Sequence, residues 1–222
     1  MRIKKTCVYP VIIFLCLFFI FPVILLSQEP TAIKILDDKV RTYLENRRGT
    51  WRELNVPASD GKILYDLIIK NNYKKALEIG TSTGHSGIWI AWALSKTGGK
   101  LITIEIDAER YREALANFKE AGLANYIDAR LADAHNLVKE LQGPFDFVFC
   151  DADKEWYKNY FIDVYPKLEV GGCYTAHNVS ARRGMGRQTE QFYNYLKRLS
   201  YVETAVNDSG GGISISYKRP IK

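Results

Sequence analysis

From residue 75 onward the chain alternates short apolar runs with stretches of helical spacing. The pattern predicts strands at 76–80, 101–106, 126–131, 145–151 and 172–177, separated by helices at 85–96, 108–121, 134–141 and 154–167. Short apolar strands joined by helical segments imply parallel strands with crossover connections. The rhythm breaks near the end, where a helix at 188–199 leads to a strand at 201–207, the turn Asn207-Asp208-Ser209-Gly210-Gly211-Gly212 and a last strand at 213–218. Such a pair reads as a hairpin, so the final strand is expected to be antiparallel. The expected fold class is therefore α/β: a doubly wound, seven-stranded, mostly parallel sheet with an antiparallel C-terminal hairpin. Two helices precede it. One runs from Thr31 to about Arg48 on the spacing of Ile33, Leu36, Val40 and Leu44; the other carries Ile63, Leu64, Leu67 and Ile68, with Ser59 as its expected cap.

Residues 7–27 are almost unbroken apolar sequence behind the basic start Met-Arg-Ile-Lys-Lys. A stretch of this length suits a bilayer-spanning helix and exceeds the apolar core usual in a signal peptide, although Pro10 and Pro22 interrupt it. The expected organisation is an N-terminal anchor or export signal over 1–27 followed by one domain over 28–222, tethered to a membrane or exported. Lys34, Lys39 and Arg41 balance Arg2, Lys4 and Lys5, so charge does not decide the topology. The formal charge of +6 falls to about +3 from Gln28 onward, too small and dispersed an excess to suggest nucleic acid as a partner. The four cysteines show neither a disulfide framework nor zinc-ligand spacing.

The candidate chemistry lies where the strands end. After the first comes Gly80-Thr81-Ser82-Thr83-Gly84, a turn whose glycines let backbone approach a ligand while the next helix offers amides to an anion. The second strand carries Glu105, placed to accept both hydroxyls of a ribose. Asp107 reads as a helix cap. Asp133, after the third strand, could take an adenine amino group or serve as a cap. A nucleotide-dependent oxidoreductase would use a similar turn and acid, but the Gly-x-Gly-x-x-Gly spacing that a pyrophosphate favours is missing. The closing antiparallel hairpin is also foreign to dinucleotide folds. The fourth strand ends in Asp151-Ala152-Asp153-Lys154 and the fifth in His177-Asn178; Asp151, His177 and Asn178 together could hold a divalent metal.

These segments, above all Leu77 to Ser86 and Asp151-Ala152-Asp153-Lys154-Glu155-Trp156-Tyr157-Lys158-Asn159-Tyr160, resemble the cation-dependent O-methyltransferases of the catechol and caffeoyl-coenzyme A type. The resemblance runs from about residue 55 to the end and implies a Rossmann-like methyltransferase fold using S-adenosylmethionine. It implies that Glu78, Gly80, Thr81 and Ser86 surround the methionine end of that cofactor, with backbone near Val56 over it. Glu105 would hold the ribose, and Ala134, beside Asp133, the adenine. Asp153 and Tyr160 would line the cofactor and substrate side, Asp151 would bind metal and Lys154 would be catalytic. It also implies a homodimer.

The chain departs from the family at His177, where an aspartate is usual. A histidine there weakens magnesium binding and favours a softer ion such as manganese, iron or zinc; alternatively it is a general base, or it only caps a strand. His85 replaces a tyrosine and is expected to pack against the cofactor, while His135, on a short surface helix, carries no signal. Arg182, Arg183 and Arg187 lie just beyond the site and could meet an acidic substrate, though such a run is more often a solvated loop. The expected activity is methylation of a hydroxyl on a small, catechol-like or aromatic acceptor. The runner-up is a membrane-tethered module that binds S-adenosylmethionine, with catalysis lost or metal-independent and His177 as base.

Overall fold

The computed structural model describes residues 21–51, 54–180 and 184–220, with side chains from residue 32. Seven strands form one sheet: β1 (Lys75–Ile79), β2 (Lys100–Glu105), β3 (Ile127–Leu131), β4 (Phe145–Cys150), β5 (Leu168–His177), β6 (Val202–Asn207) and β7 (Ile213–Lys218). Their order is β3-β2-β1-β4-β5-β7-β6. The first five are mutually parallel and β7 runs antiparallel to both β5 and β6, as the alternating pattern and the glycine-rich turn predict. The order reverses between β1 and β4, and this is the point where open α/β sheets bind ligands beyond the carboxyl ends of their strands.

The helices are α1 (Phe21–Asn46), α2 (Ala58–Asn71), α3 (His85–Thr97), α4 (Ala108–Ala121), α5 (Ala134–Glu140), α6 (Tyr157–Val164) and α7 (Arg187–Lys197). Successive side chains of a strand point to opposite faces. Val148 and Cys150 of β4 accordingly join Tyr157, Phe161 and Phe192 on one side of the sheet. Phe147 and Phe149 join Leu64, Ile68 and Ile90 on the other.

Four local expectations need correction. The helix expected over 154–167 is a 3-10 turn at Lys154–Trp156, then α6, then a second 3-10 turn at Tyr165–Lys167. Pro166 lies in that last turn and has no backbone N–H to continue the helix. β5 begins at Leu168, earlier than expected, because a bulge between the Phe145 and Phe147 pairings lets Gly171 and Gly172 sit within the strand. Ser59 does not cap α2: Pro57 holds the N-cap position with no side-chain bond. Ile33 is exposed, whereas the other expected positions of α1 hold: Val40 is buried and Leu36 and Leu44 pack partly buried, with Tyr43 added, against α3 and α4.

Polar contacts complete the docking of α1. Asp37 accepts from Trp92 at 2.7 Å, and Tyr43 donates to the buried Asn117 at 2.9 Å. Residues 7–20 of the apolar N-terminal stretch lie outside the described residues. Among the described residues no helix is long and apolar enough to cross a membrane.

Candidate active site

The turn after β1 is fixed by its glycines. Gly80 and Gly84 have φ of 97° and 96°, in the region that side chains disfavour. Gly80 also lies against β4, where an added Cβ would stand 2.4 Å from the backbone oxygen of Asp151. Gly80→Ala is expected to cost about 1–3 kcal/mol from φ alone, with the clash in addition. Urea unfolding of the variant measures it. The turn is braced from outside as well, since Asn117 donates to the Thr83 carbonyl at 2.7 Å.

Glu105, at the end of β2, is buried and accepts from the backbone amides of Ser82 at 2.7 Å, Ile106 at 3.1 Å and Asp107 at 2.9 Å. Asp107 caps α4 through the amides of Glu109 and Arg110, as expected. Asp133 caps α5 through the amide of His135 and also faces the ligand space, so both of its candidate roles remain open to it.

A cavity of about 450 Å³ runs along the carboxyl edge of the sheet, within the size range of small-molecule sites. Gly80, Glu105, Asp133, Ala134, Asp151, Asp153, Lys154, Tyr160, His177 and Asn178 all line it, as their expected roles require. Val56, Glu78, Thr81 and Ser86 do not; each is buried beside it. Burial pushes the Glu78 carboxyl up to about 7 against the opposing bonds from Ser86 and Thr103, and its Oε1 has no hydrogen-bond partner. His85 is also absent from the lining. It stacks on Trp51 with ring centroids 4.6 Å apart, and its Nδ1 meets the Val56 carbonyl at 2.8 Å.

Residues 28–202 match the model of the O-methyltransferase family. The chain belongs to that family. Among similar proteins, a caffeoyl-CoA O-methyltransferase of Eucalyptus globulus is 36% identical over 150 residues, 65% of this chain and 58% of that one. A catechol O-methyltransferase of Niastella koreensis is 41% identical over 130 residues, 57% and 58% of the two chains. The chain thus spans under three fifths of the length of these curated relatives. Among solved structures, the O-methyltransferase TomG of Streptomyces achromogenes, involved in tomaymycin synthesis and solved in complex with SAM, aligns at a TM-score of 0.70. It shares 25% identity over 82% of this chain and 90% of that one.

In this member of the O-methyltransferase family one end of the cavity is built from charges. Lys154 donates to Asp151 Oδ1 at 2.5 Å and to the Ala152 carbonyl at 3.2 Å. The other carboxylate oxygen of Asp151 stands 3.1 Å from His177 Nδ1, and His177 Nε2 stands 2.8 Å from Asp60 Oδ2. Burial works against a charged ring at His177, but the bonds to Asp151 and Asp60 outweigh it and raise its pKa to about 9. Burial would likewise raise Asp151, yet His177 and Lys154 hold it below the usual carboxylate range.

Both ring nitrogens of His177 thus face carboxylate oxygens, the arrangement of an imidazolium that donates to each. With both nitrogens engaged by Asp60 and Asp151, neither is turned to a metal or to a substrate proton in this arrangement. Asp151 is the only carboxylate of the expected metal set and is already shared with Lys154, while Asn178 is exposed. These donors do not fit a hard divalent ion, which draws its affinity from carboxylate oxygens. Among the described residues no group of three or more His, Cys, Asp or Glu side chains is arranged to hold a metal.

Two of these residues carried no sequence signal. Asp60 is fully buried at the head of α2, 117 residues from its partner His177. His135 lines the cavity, stacks on Tyr160 with centroids 5.6 Å apart, and stands 3.4 Å from carboxylate oxygens of both Asp133 and Asp153. Only Val138 of the short α5 is fully buried, with Ala134 and Leu137 packed partly buried, so His135 reads in sequence as one of its solvated residues. Arg182 and Arg183 lie outside the described residues; Arg187 is exposed at the start of α7.

Proposed function

We propose that this chain transfers the methyl group of S-adenosylmethionine to a hydroxyl of a small aromatic acceptor of the catechol kind. The observation that carries this proposal is one cavity lined both by Gly80, Glu105 and Ala134 and by the Asp151, Lys154 and His177 charges. A nucleoside bound against the first group brings its sulfonium towards the second. The partnerless Oε1 of Glu78, beneath the turn, suits the cationic methionine end of such a ligand. Membership of the O-methyltransferase family and the relatives' activity on catechol and caffeoyl-CoA support the same choice.

A phenol with pKa near ~10 is mostly protonated at neutral pH. Attack is therefore coupled to loss of its proton. The acceptor oxygen bonds to the methyl carbon while the carbon–sulfur bond breaks, and sulfur leaves with that electron pair as a neutral thioether. Lys154, partly exposed and able to give a proton to solvent beforehand, takes the hydroxyl proton as an amine and ends as an ammonium beside Asp151. The same proposal keeps residues 7–27 as a membrane anchor or export signal, which protease treatment of sealed cells tests.

Calorimetric titration with S-adenosylmethionine and with NAD is the direct test of cofactor choice. Binding of S-adenosylmethionine alone is expected, and Glu105→Ala should weaken it about tenfold through loss of charge-assisted ribose bonds. Tight NAD binding without S-adenosylmethionine binding would sink the proposal. Product formation with a catechol panel then separates an enzyme from a module that only binds the cofactor.

A further inference from the structure

Asp60 takes no part in the transfer just described and does not line the cavity, yet the molecule is shaped around it. Asp60, His177, Asp151 and Lys154 form a row of alternating charge, linked at 2.8, 3.1 and 2.5 Å and neutral as a whole. The first two members are closed off from water, with side-chain exposures of 0% for Asp60 and 7% for His177. The turn between β6 and β7 folds over them. The Gly211 amide donates to Asp60 Oδ2 at 2.7 Å, and an added Cβ on Gly211 would stand 2.5 Å from His177 Nε2. On Gly210 it would collide with Asp60 Oδ1. The glycines that read in sequence as a hairpin turn are thus also the room this pair needs.

An anionic acceptor oxygen forming beside Asp151 needs positive charge nearby, and a charge held in place beforehand is worth more than one that must reorganise. We propose that this charge is built into the chain: the His177 ring, clamped by Asp60 and acting with Lys154, stands in for a divalent ion, and methyl transfer runs without one. This inference rests on the methyl transfer proposed above. Asp60 is then a positioning residue, holding the ring in the cavity wall from behind. The bonds made and broken are those of the transfer itself, and the hydroxyl proton still passes to Lys154, whose ammonium then adds its charge to that of the ring.

Two measurements on the intact chain, stripped of metal with EDTA, decide the matter. Manganese(II) titration followed by electron paramagnetic resonance is expected to show no bound ion, and turnover of catechol to be equal with EDTA, magnesium or manganese. One tightly bound manganese per chain, or a tenfold loss in EDTA restored by either ion, overturns the proposal. His177→Asp places a third carboxylate beside Asp60 and Asp151 and is expected to gain the manganese signal. Asp60→Asn is expected to lower kcat about tenfold with S-adenosylmethionine affinity unchanged and no rescue by manganese; an unchanged kcat removes the positioning role. A chain that binds no S-adenosylmethionine refutes the methyl-transfer function instead, and the manganese titration still judges the ion row by itself.

Discussion

Asp60→Ala is expected to destabilise the protein by about 3–5 kcal/mol, the usual cost of removing one partner from a buried charged pair. The loss has two physical parts. The His177 Nε2–H is left without its acceptor in a site that water does not reach, and the Gly211 amide loses its bond as well. Asp60→Asn keeps an oxygen for one of these donors and should lose less. Thermal unfolding measures both variants, and for a domain of this size the alanine variant is expected to melt roughly 10 °C lower. A melting point within a degree or two of the parent would mean that the pair contributes nothing net to stability.

The second large effect is a dependence of stability on pH centred on His177. Its folded pKa of about 9 lies above the value of 6.5 for a free imidazole, so protonation favours the folded state. The contribution is therefore fully present below pH 6.5 and is lost as pH rises through about 9. A shift of that size corresponds to about 3 kcal/mol. The bond has a second edge at Asp151, whose lowered pKa means that its share is lost as pH falls through that lowered value. Glu78 adds a decline of its own: raised to about 7 by burial, it favours folding fully below pH 4.5 and ceases to do so as pH rises through about 7. Urea unfolding at intervals from pH 5 to pH 10 should show stability falling across the upper half of that range. The slope above pH 7 should flatten in His177→Gln, whereas an identical slope in that variant would assign it to other groups.

The sheet was legible because each parallel strand is a short apolar run between helices, and its neighbours follow from ordinary crossover connections. The same logic located Gly80, Glu105, Asp133, Asp151 and His177, since a residue at the carboxyl end of a strand must lie along one edge whatever its side chain does. Features depending on contacts between distant segments were not legible. No local pattern relates residue 60 to residues 177 and 211, so His177 carried three candidate roles in sequence and acquires a fourth, a clamped cation, only when Asp60 arrives from α2. His85 was assigned to the cofactor from its place beside the glycine turn. Trp89, one turn further along α3, donates to its Nε2, but the ring that it stacks on is Trp51, on a segment whose approach the turn itself does not encode.

The closure of the Asp60–His177 pair by Gly210 and Gly211 has a consequence for the order in which the molecule is made. Residues 75–140 supply β1, β2, β3 and α5 and with them the glycine turn, Glu105 and Ala134, so the nucleoside-facing wall can assemble early in synthesis. The charged end cannot, because the Gly211 amide lies 151 residues beyond the carboxylate it contacts and arrives with the last hairpin. Contacts this distant in sequence form late and slowly. A nascent chain released before residue 211 would possess the wall that recognises the cofactor but not the finished apparatus for using it, so binding competence would precede catalytic competence during biosynthesis.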